Sequence, residues 1–419
     1  MEISSISSGD TAFVLVSAAL VFIMTPGLGF FYGGLGRRKN VVNNLMASVF
    51  ILGLCMTMWV FFGYSLAFSG NTLGIVGSFQ DIFLKSINFK DPSPYASNIT
   101  GLSFVAFQMM FALITPAIIT GAASGRMKFS ALFWFIALWS IVVYYPLAHM
   151  VWGDGGILGA AGLKSVDFAG GNVVHISSGV SGLVLCLFLG KRQGYDNTSY
   201  RIHNVPFVVL GMTLLWFGWY GFNAGSALGA NGLAAHAFMT TSIATAGGLL
   251  SWLLVDVIRK RKPSLISGCT GVVAGLVAIT PAAGFVPIWA SIIIGFTAGP
   301  ICYYSILFVK KRLKIDDALD AFGCHGIGGI WGGLMTGIFC NPELNSAGRP
   351  GLIYGEFGQF GSQVVAIIVS ILIAAVGTSI CVGILRFFTT LRVSKRDELI
   401  GLDVSQHNEN AYPSFTGLD

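Results

Sequence analysis

Long uncharged stretches constrain this chain most. Residues 102–123 read LSFVAFQMMFALITPAIITGAA, without one charged side chain. About 20 apolar residues in a helix span the ~30 Å hydrocarbon core of a bilayer. Stretches of this kind recur from Thr11 to Phe388, and mean hydropathy is +0.76. Charged residues make up only 10% of the 419, against roughly 25% in a soluble domain. The short alternating segments of a β-barrel do not appear. An all-α polytopic membrane protein is therefore expected. Its 55 glycines suit helices whose backbones approach closely.

We read eleven transmembrane helices, near 11–32, 41–68, 99–123, 129–150, 169–190, 203–222, 233–258, 265–281, 285–308, 321–340 and 361–388. The basic residues then alternate by loop. One side has Arg37, Arg38 and Lys39, then Arg126 and Lys128, then Lys191, Arg192 and Arg201. It continues with Arg259, Lys260, Arg261 and Lys262, with Lys310, Lys311, Arg312 and Lys314, and with Arg386, Arg392, Lys395 and Arg396. The other side has only Lys85, Lys90, Lys164 and Arg349. The positive-inside rule sets an outside N-terminus and a cytoplasmic C-terminus. The run RKRKP at 259–263 fits this bias better than it fits a lipid or nucleic-acid patch. A membrane domain over 1–388 and a cytoplasmic C-terminal tail over 389–419 follow. The first ten residues lack Lys and Arg, so the segment from Thr11 is expected to be a retained helix and not a cleaved leader.

Several functions are disfavoured. Cys55, Cys186, Cys269, Cys302, Cys324, Cys340 and Cys381 lie mostly in apolar stretches with no C-x-x-C spacing, so neither a metal site nor a disulfide framework is expected. No cofactor fingerprint or nucleophile–base pair stands out. An enzyme is not expected, and neither is a cofactor or a nucleic-acid partner.

Two segments echo each other. In DFAGGNVVHISSGVSGL, Asp167 precedes His175 by eight residues, and Gly179 and Gly182 follow by four and seven. In DDALDAFGCHGIGGIWGGL, Asp317 precedes His325 by eight, and Gly329 and Gly332 follow at the same offsets. The two segments fall in the fifth and tenth spans, so they run in opposite directions. That is the mark of an inverted five-helix repeat, helices 1–5 and 6–10, followed by a long last helix. One intramembrane His alone reads as a packing residue bonded to a neighbouring carbonyl. Two matched His in inverted copies point to a shared pathway. His149, His203, His236 and His407 read as structural or solvated.

The motifs resemble those of the ammonium transporter family (Amt/Mep/Rh), Amt branch. DFAGGNVVHISSGVSGL and FGCHGIGGIWGG resemble its two His segments. FQMMFALITPA at 107–117, AHMVWG at 148–153, WYGFNAGSA at 219–227 and GLDVSQHNENAY in the tail extend the likeness over the whole chain. The resemblance implies an outer ammonium site at Phe107, Trp152 and Ser226, a gate of Phe111 and Phe222, and a pore lined by His175, His325 and Trp219. Aromatic faces attract a small cation by about 0.5–2 kcal/mol, and a hydroxyl accepts one of its N–H bonds. The resemblance gives Asp167 a buried supporting role, capping backbone N–H groups and orienting the Ala169 and Gly170 carbonyls. Asp317 and Asp320 read first as caps of the tenth helix, with a part in cation exit left open.

The implied mechanism recruits ammonium outside, removes a proton near the Phe gate and passes ammonia along the His pair, with reprotonation inside and net charge transfer. An electroneutral ammonia channel of Rh type is the alternative, and an ammonium sensor a further one. About 30 residues, from Thr389 to Asp419, follow the last helix, which favours a transporter over a sensor with an added domain. The resemblance also implies a homotrimer and a PII-type signalling protein at the cytoplasmic face. One departure stands out: Gly125 in GAASGRMKF occupies a place where relatives with an AER-like segment carry an acid.

Overall fold

The computed structural model describes residues 6–195 and 202–413. Arg201, the first five residues and the last six lie outside the described residues. The chain is built of helices in the order expected. These are α1 (Ser8–Leu35), α2 (Arg38–Phe68), α3 (Gly101–Ala123), α4 (Phe129–Trp152), α5 (Gly171–Leu189) and α6 (Val205–Ala227). They continue as α7 (Gly232–Ile258), α8 (Leu265–Ile279), α9 (Ile288–Arg312), α10 (a π-helical turn Phe322–Gly326 running on as Ile327–Phe339) and α11 (Gly358–Phe388). The tail adds α12 (Lys395–Ile400) and α13 (Leu402–His407). A small hairpin, β1 (Pro92–Ser93) and β2 (Ala96–Thr100), precedes α3.

Among the described residues, nine helices are long and apolar enough to cross a membrane; α8 and α10 are the two outside that group. α8 has 15 residues, about 22 Å of helix. It stops at Thr280 because Pro281 follows and has no N–H to continue the ladder. Residues 280–286 then run as a buried loop. Protein groups satisfy that loop: the Phe168 N–H donates to the Pro281 carbonyl at 3.1 Å, and Thr240 Oγ1 to the Ala283 carbonyl at 2.8 Å. Irregular backbone at depth is tolerated where protein buries it.

Glycines bring the central helices together. A Cβ on Gly27 of α1 would lie 2.8 Å from Leu214 Cβ, and one on Gly221 of α6 would lie 2.6 Å from the Ser17 carbonyl. α5 and α10 touch reciprocally. A Cβ on Gly179 would meet Gly326, and one on Gly329 would lie 3.1 Å from His175 Cβ. Each glycine four residues after a His therefore packs on the His turn of the other helix.

The basic loops are tied to one another. Arg37 donates to the Gln193 carbonyl (3.1 Å), and Arg126 to the Asp316 carbonyl (2.7 Å). Arg192 grips the Asp316 carboxylate through Nε at 2.8 Å and Nη2 at 2.6 Å. The tail lies across this face. Val393 N donates to Arg126 O (3.1 Å), Leu402 N to Asn40 Oδ1 (2.9 Å), and Asn43 N to Asp403 Oδ1 (2.8 Å). On the opposite face Arg349 Nη2 reaches the Lys164 carbonyl at 3.5 Å.

Asp316 is a buried partner whose loss has a defined cost. Burial alone would raise its carboxyl, but the Arg192 hydrogen bonds and charge hold it below the ordinary value. Asp316→Ala is expected to cost about 3–5 kcal/mol, as for a broken buried ion pair. The thermal midpoint of the purified protein measures this. The contribution is complete above the ordinary carboxylate range and fades as pH falls through the depressed value, so the gap to wild type should close in strong acid.

Candidate functional site

The carboxylate of Asp167 holds the start of α5. Its Oδ1 accepts from Gly170 N (2.8 Å) and Gly171 N (2.6 Å), and its Oδ2 from Asn172 N (2.7 Å) and Val173 N (3.3 Å). These are first-turn N–H groups with no partner inside the helix. α5 then opens as a π-helical turn, Gly171–Ile176, which contains His175. Asp317 does the same for α10, accepting from Ala321 N (3.1 Å) and Phe322 N (2.8 Å) ahead of the π turn that contains His325. Asp320 does not cap. It sits in a left-handed conformation, φ +62°, and pairs with Lys310 at 2.5 Å. That ion pair takes the carboxylate away from the helix start.

The two His rings meet between these helices. Nδ1 of His325 lies 3.2 Å from Nδ1 of His175. Two neutral imidazoles share such a bond when one Nδ1 carries the proton and the other accepts. Trp219 stacks on His175 at 5.4 Å and 18°, and its Nε1 donates to Thr280 Oγ1 at 2.9 Å. Among the described residues Nε2 of His175 has no hydrogen-bond partner. A cavity of about 10 Å³ lies against the rings, about the room one water needs. Met24, Leu28, Ile114, Ile118, Val174 and Leu215 supply its apolar wall.

A continuous line of rings leads away from the pair. Phe222 stands 6.0 Å from His175, and Phe111 4.3 Å from Phe222. Trp152 meets Phe111 edge-on at 5.9 Å. Beyond them lies a cavity of about 160 Å³, walled by Phe104, Gln108, Phe111, Trp152, Phe168 and Ser226, among others. Trp152 Nε1 donates to the Asp167 carbonyl at 2.9 Å. Ser226 donates its hydroxyl proton to the Phe222 carbonyl at 2.8 Å, which leaves the oxygen lone pairs as acceptors.

The structure brings Trp152, Ser226 and Phe111 to the outer cavity, and Phe222, Trp219, His175 and His325 to the inner one. Phe107 does not reach the outer wall. It is fully buried, 5.0 Å from Phe111, where a Cβ on Gly225 would lie 2.8 Å from its ring. The other His side chains bond to loops and helix ends: His149 to the Ala67 carbonyl (3.0 Å), His236 to the Val286 carbonyl (2.8 Å), His203 to the Gly36 carbonyl (3.2 Å) and His407 to Asn43 (3.1 Å). Sequence reasoning missed Gln108 and Tyr95. Tyr95 stacks on Phe104 at 4.7 Å and 7° and donates to the Phe68 carbonyl at 2.7 Å. It comes from the hairpin before α3, where no periodicity marks it. Gln108 carried a signal: Phe104, Gln108 and Phe111 fall at i, i+4 and i+7 on one helix face.

Comparison with known proteins gives this arrangement a family. The model of the Ammonium Transporter Family matches residues 12–412. An ammonium transporter of Bacillus subtilis is 48% identical over 405 residues, 96% of this chain and 98% of that protein. The crystal structure of Saccharomyces cerevisiae Mep2 matches with a TM-score of 0.90 at 37% identity, over 99% of this chain and 93% of that one. A structure described as a sensor Amt protein matches with a TM-score of 0.86 at 28% identity, over 95% of this chain and 98% of that one. The likeness runs from end to end in sequence and in fold, and the chain belongs to the ammonium transporter family as a multi-pass membrane protein.

Proposed function

We propose that the protein takes up ammonium at the 160 Å³ outer cavity and conducts ammonia along the His pair, with net transfer of charge. The observation that carries this reading is the inner cavity. Its volume of about 10 Å³ and its largely apolar wall suit a small neutral molecule. An ammonium ion entering it intact would leave its water shell for few polar partners, at several kcal/mol or more. Ammonia avoids that cost.

The residues take the following roles. Trp152 and Phe111 offer aromatic faces to the cation. Ser226 accepts one of its N–H groups. Phe107 packs behind Phe111 and holds that ring in place. A proton leaves the ion near Phe111 and Phe222, which separate the two cavities, and passes to Nε2 of His175, which has no hydrogen-bond partner among the described residues. The Nδ1 contact of His175 and His325 is a relay, since each imidazole can donate at one nitrogen and accept at the other. Trp219 fixes the tilt of the His175 ring. Asp167 does not ligate the ion, because its two oxygens already serve four backbone N–H groups.

In this reading α1 to α11 all cross the membrane, with the N-terminus outside and the basic face in the cytoplasm. α8 and α10 cross as members of the two inverted halves, α1–α5 and α6–α10. Residues 1–388 form the membrane domain, and residues 389–419 the cytoplasmic tail. The protein works as a homotrimer, each subunit with its own path, and a PII-type signalling protein binds the basic face. The likeness to a sensor Amt protein keeps an ammonium sensor as the second reading. An electroneutral ammonia channel is the third.

Current from proteoliposomes given an ammonium pulse separates these readings. Charge movement is expected, with no response of equal size to potassium. Ammonia flux without current would replace the electrogenic mechanism by the electroneutral one. No flux of either kind would leave the sensor. Replacing both rings, His175→Leu with His325→Leu, is expected to lower the ammonium current about 10²-fold, the scale of a positioned proton-transfer group. Unchanged current and unchanged discrimination against potassium would defeat the relay.

A further inference from the structure

We propose that Asp320 is a release site for ammonium at the inner mouth, and that the ammonium group of Lys310 occupies it until the leaving ion displaces it. The inference rests on the transport reading above. A cavity of about 330 Å³ lies at the basic face, walled by Leu35, Arg37, Arg192, Lys310, Leu319 and Asp320, among others. The α1 face that walls the His cavity continues into it. Leu28 lines the first cavity and Leu35 the second, and residues seven apart share a helix face about 10 Å along. Asp320 itself stands five residues before His325.

Asp320 is the acid on that wall. Its backbone is left-handed, φ +62°, a conformation that is costly for a residue with a Cβ and that gathers at functional sites. Lys310 Nζ sits 2.5 Å from its carboxylate. That nitrogen is a primary ammonium, the chemistry of the transported ion with one N–H replaced by carbon. The two side chains are 29% and 28% exposed, so water reaches both partners and leaves little net attraction between them. A free ion can therefore exchange with Lys310. The two guanidinium groups on the wall have other partners: Arg192 grips the Asp316 carboxylate, and Arg37 donates to the Gln193 carbonyl. Their positive charge opposes a cation that lingers. The ion meets one carboxylate, takes the place of Lys310 and passes on.

The test measures ammonium half-saturation from the cytoplasmic face, in inside-out membrane vesicles, and from the outer face, in right-side-out ones. Lys310→Gln removes a tethered competitor and is expected to lower the inner value about fivefold, the upper end for an exposed ion pair. Asp320→Asn removes the charged acceptor and should raise the inner value about tenfold, with or without Lys310→Gln. Lys310→Arg keeps the pair and should stay near wild type. The outer value should not move in any of them. In the wild type, butylammonium carries the lysine stem and head and should inhibit from the inner face, whereas tetramethylammonium, with no N–H group, should not. Shifts of the same sign in the two single variants, no shift in either, or equal inhibition by the two amines would overturn the release site while ammonium transport stands. Absence of ammonium flux in the wild type would overturn the transport reading itself.

Discussion

Two imidazoles on different helices share a hydrogen bond only when the helix backbones nearly touch. The rest of the structure follows from meeting that condition. Gly179 lets α5 approach Gly326 of α10, and Gly329 lets α10 approach His175. A side chain at either place would push the rings past the 3.2 Å that now separates them. Contact alone does not aim the rings. Each helix also begins at a fixed point, because an aspartate eight residues before the His ties down its first N–H groups. The π-helical turns in both helices put the His on the facing side. Asp167 and Asp317 thus act through backbone position.

The two cavities divide the problem that a charged substrate poses. The outer one has room, π faces and the Ser226 oxygen, and in the proposed function it receives the cation. The inner one has almost no room and mostly aliphatic walls, so it suits a neutral molecule. Phe111 and Phe222, 4.3 Å apart, are the boundary. In the proposed mechanism the proton leaves the ion at that boundary. Trp219 extends the argument to α8. Its hydrogen bond to Thr280 anchors it where α8 ends, so the early stop at Pro281 helps orient the ring that flanks His175.

The basic face is organised by the same close approach. Gly125 has φ +80°, and a Cβ there would lie 2.9 Å from Asn40 Nδ2. An acid at this place would carry the cost of a left-handed backbone and a crowded Asn40. Asn40 in turn accepts from Leu402 of the tail. Arg392 reaches back to Glu398 at 2.7 Å and to the Leu189 carbonyl at the end of α5 at 2.9 Å. The tail is therefore joined, through Leu189, to the helix that carries His175. Lifting the tail would remove the Arg392 bond at the Leu189 end of α5.

How much of this was legible follows from what a sequence pattern records. Helix order was legible because hydrocarbon allows so few solutions: uncharged stretches must be helices, and basic loops must alternate. The His pair was legible because the echo preserved offsets of eight, four and seven. Those offsets are backbone requirements, visible in one chain. What was less legible has one cause. Phe107 and Phe111 are both Phe on α3, and the sequence does not record that Phe107 is fully buried with Gly225 packed on its ring. Asp317 and Asp320 both precede α10, and only Lys310, from another helix, decides that Asp320 pairs and does not cap. Tyr95 reaches the cavity from a hairpin with no period at all. In each case the deciding contact comes from an element distant in sequence. Gln108 differs, since its face was readable from i, i+4 and i+7. What the pattern did not record was that its Oε1 is buried without a hydrogen-bond partner among the described residues.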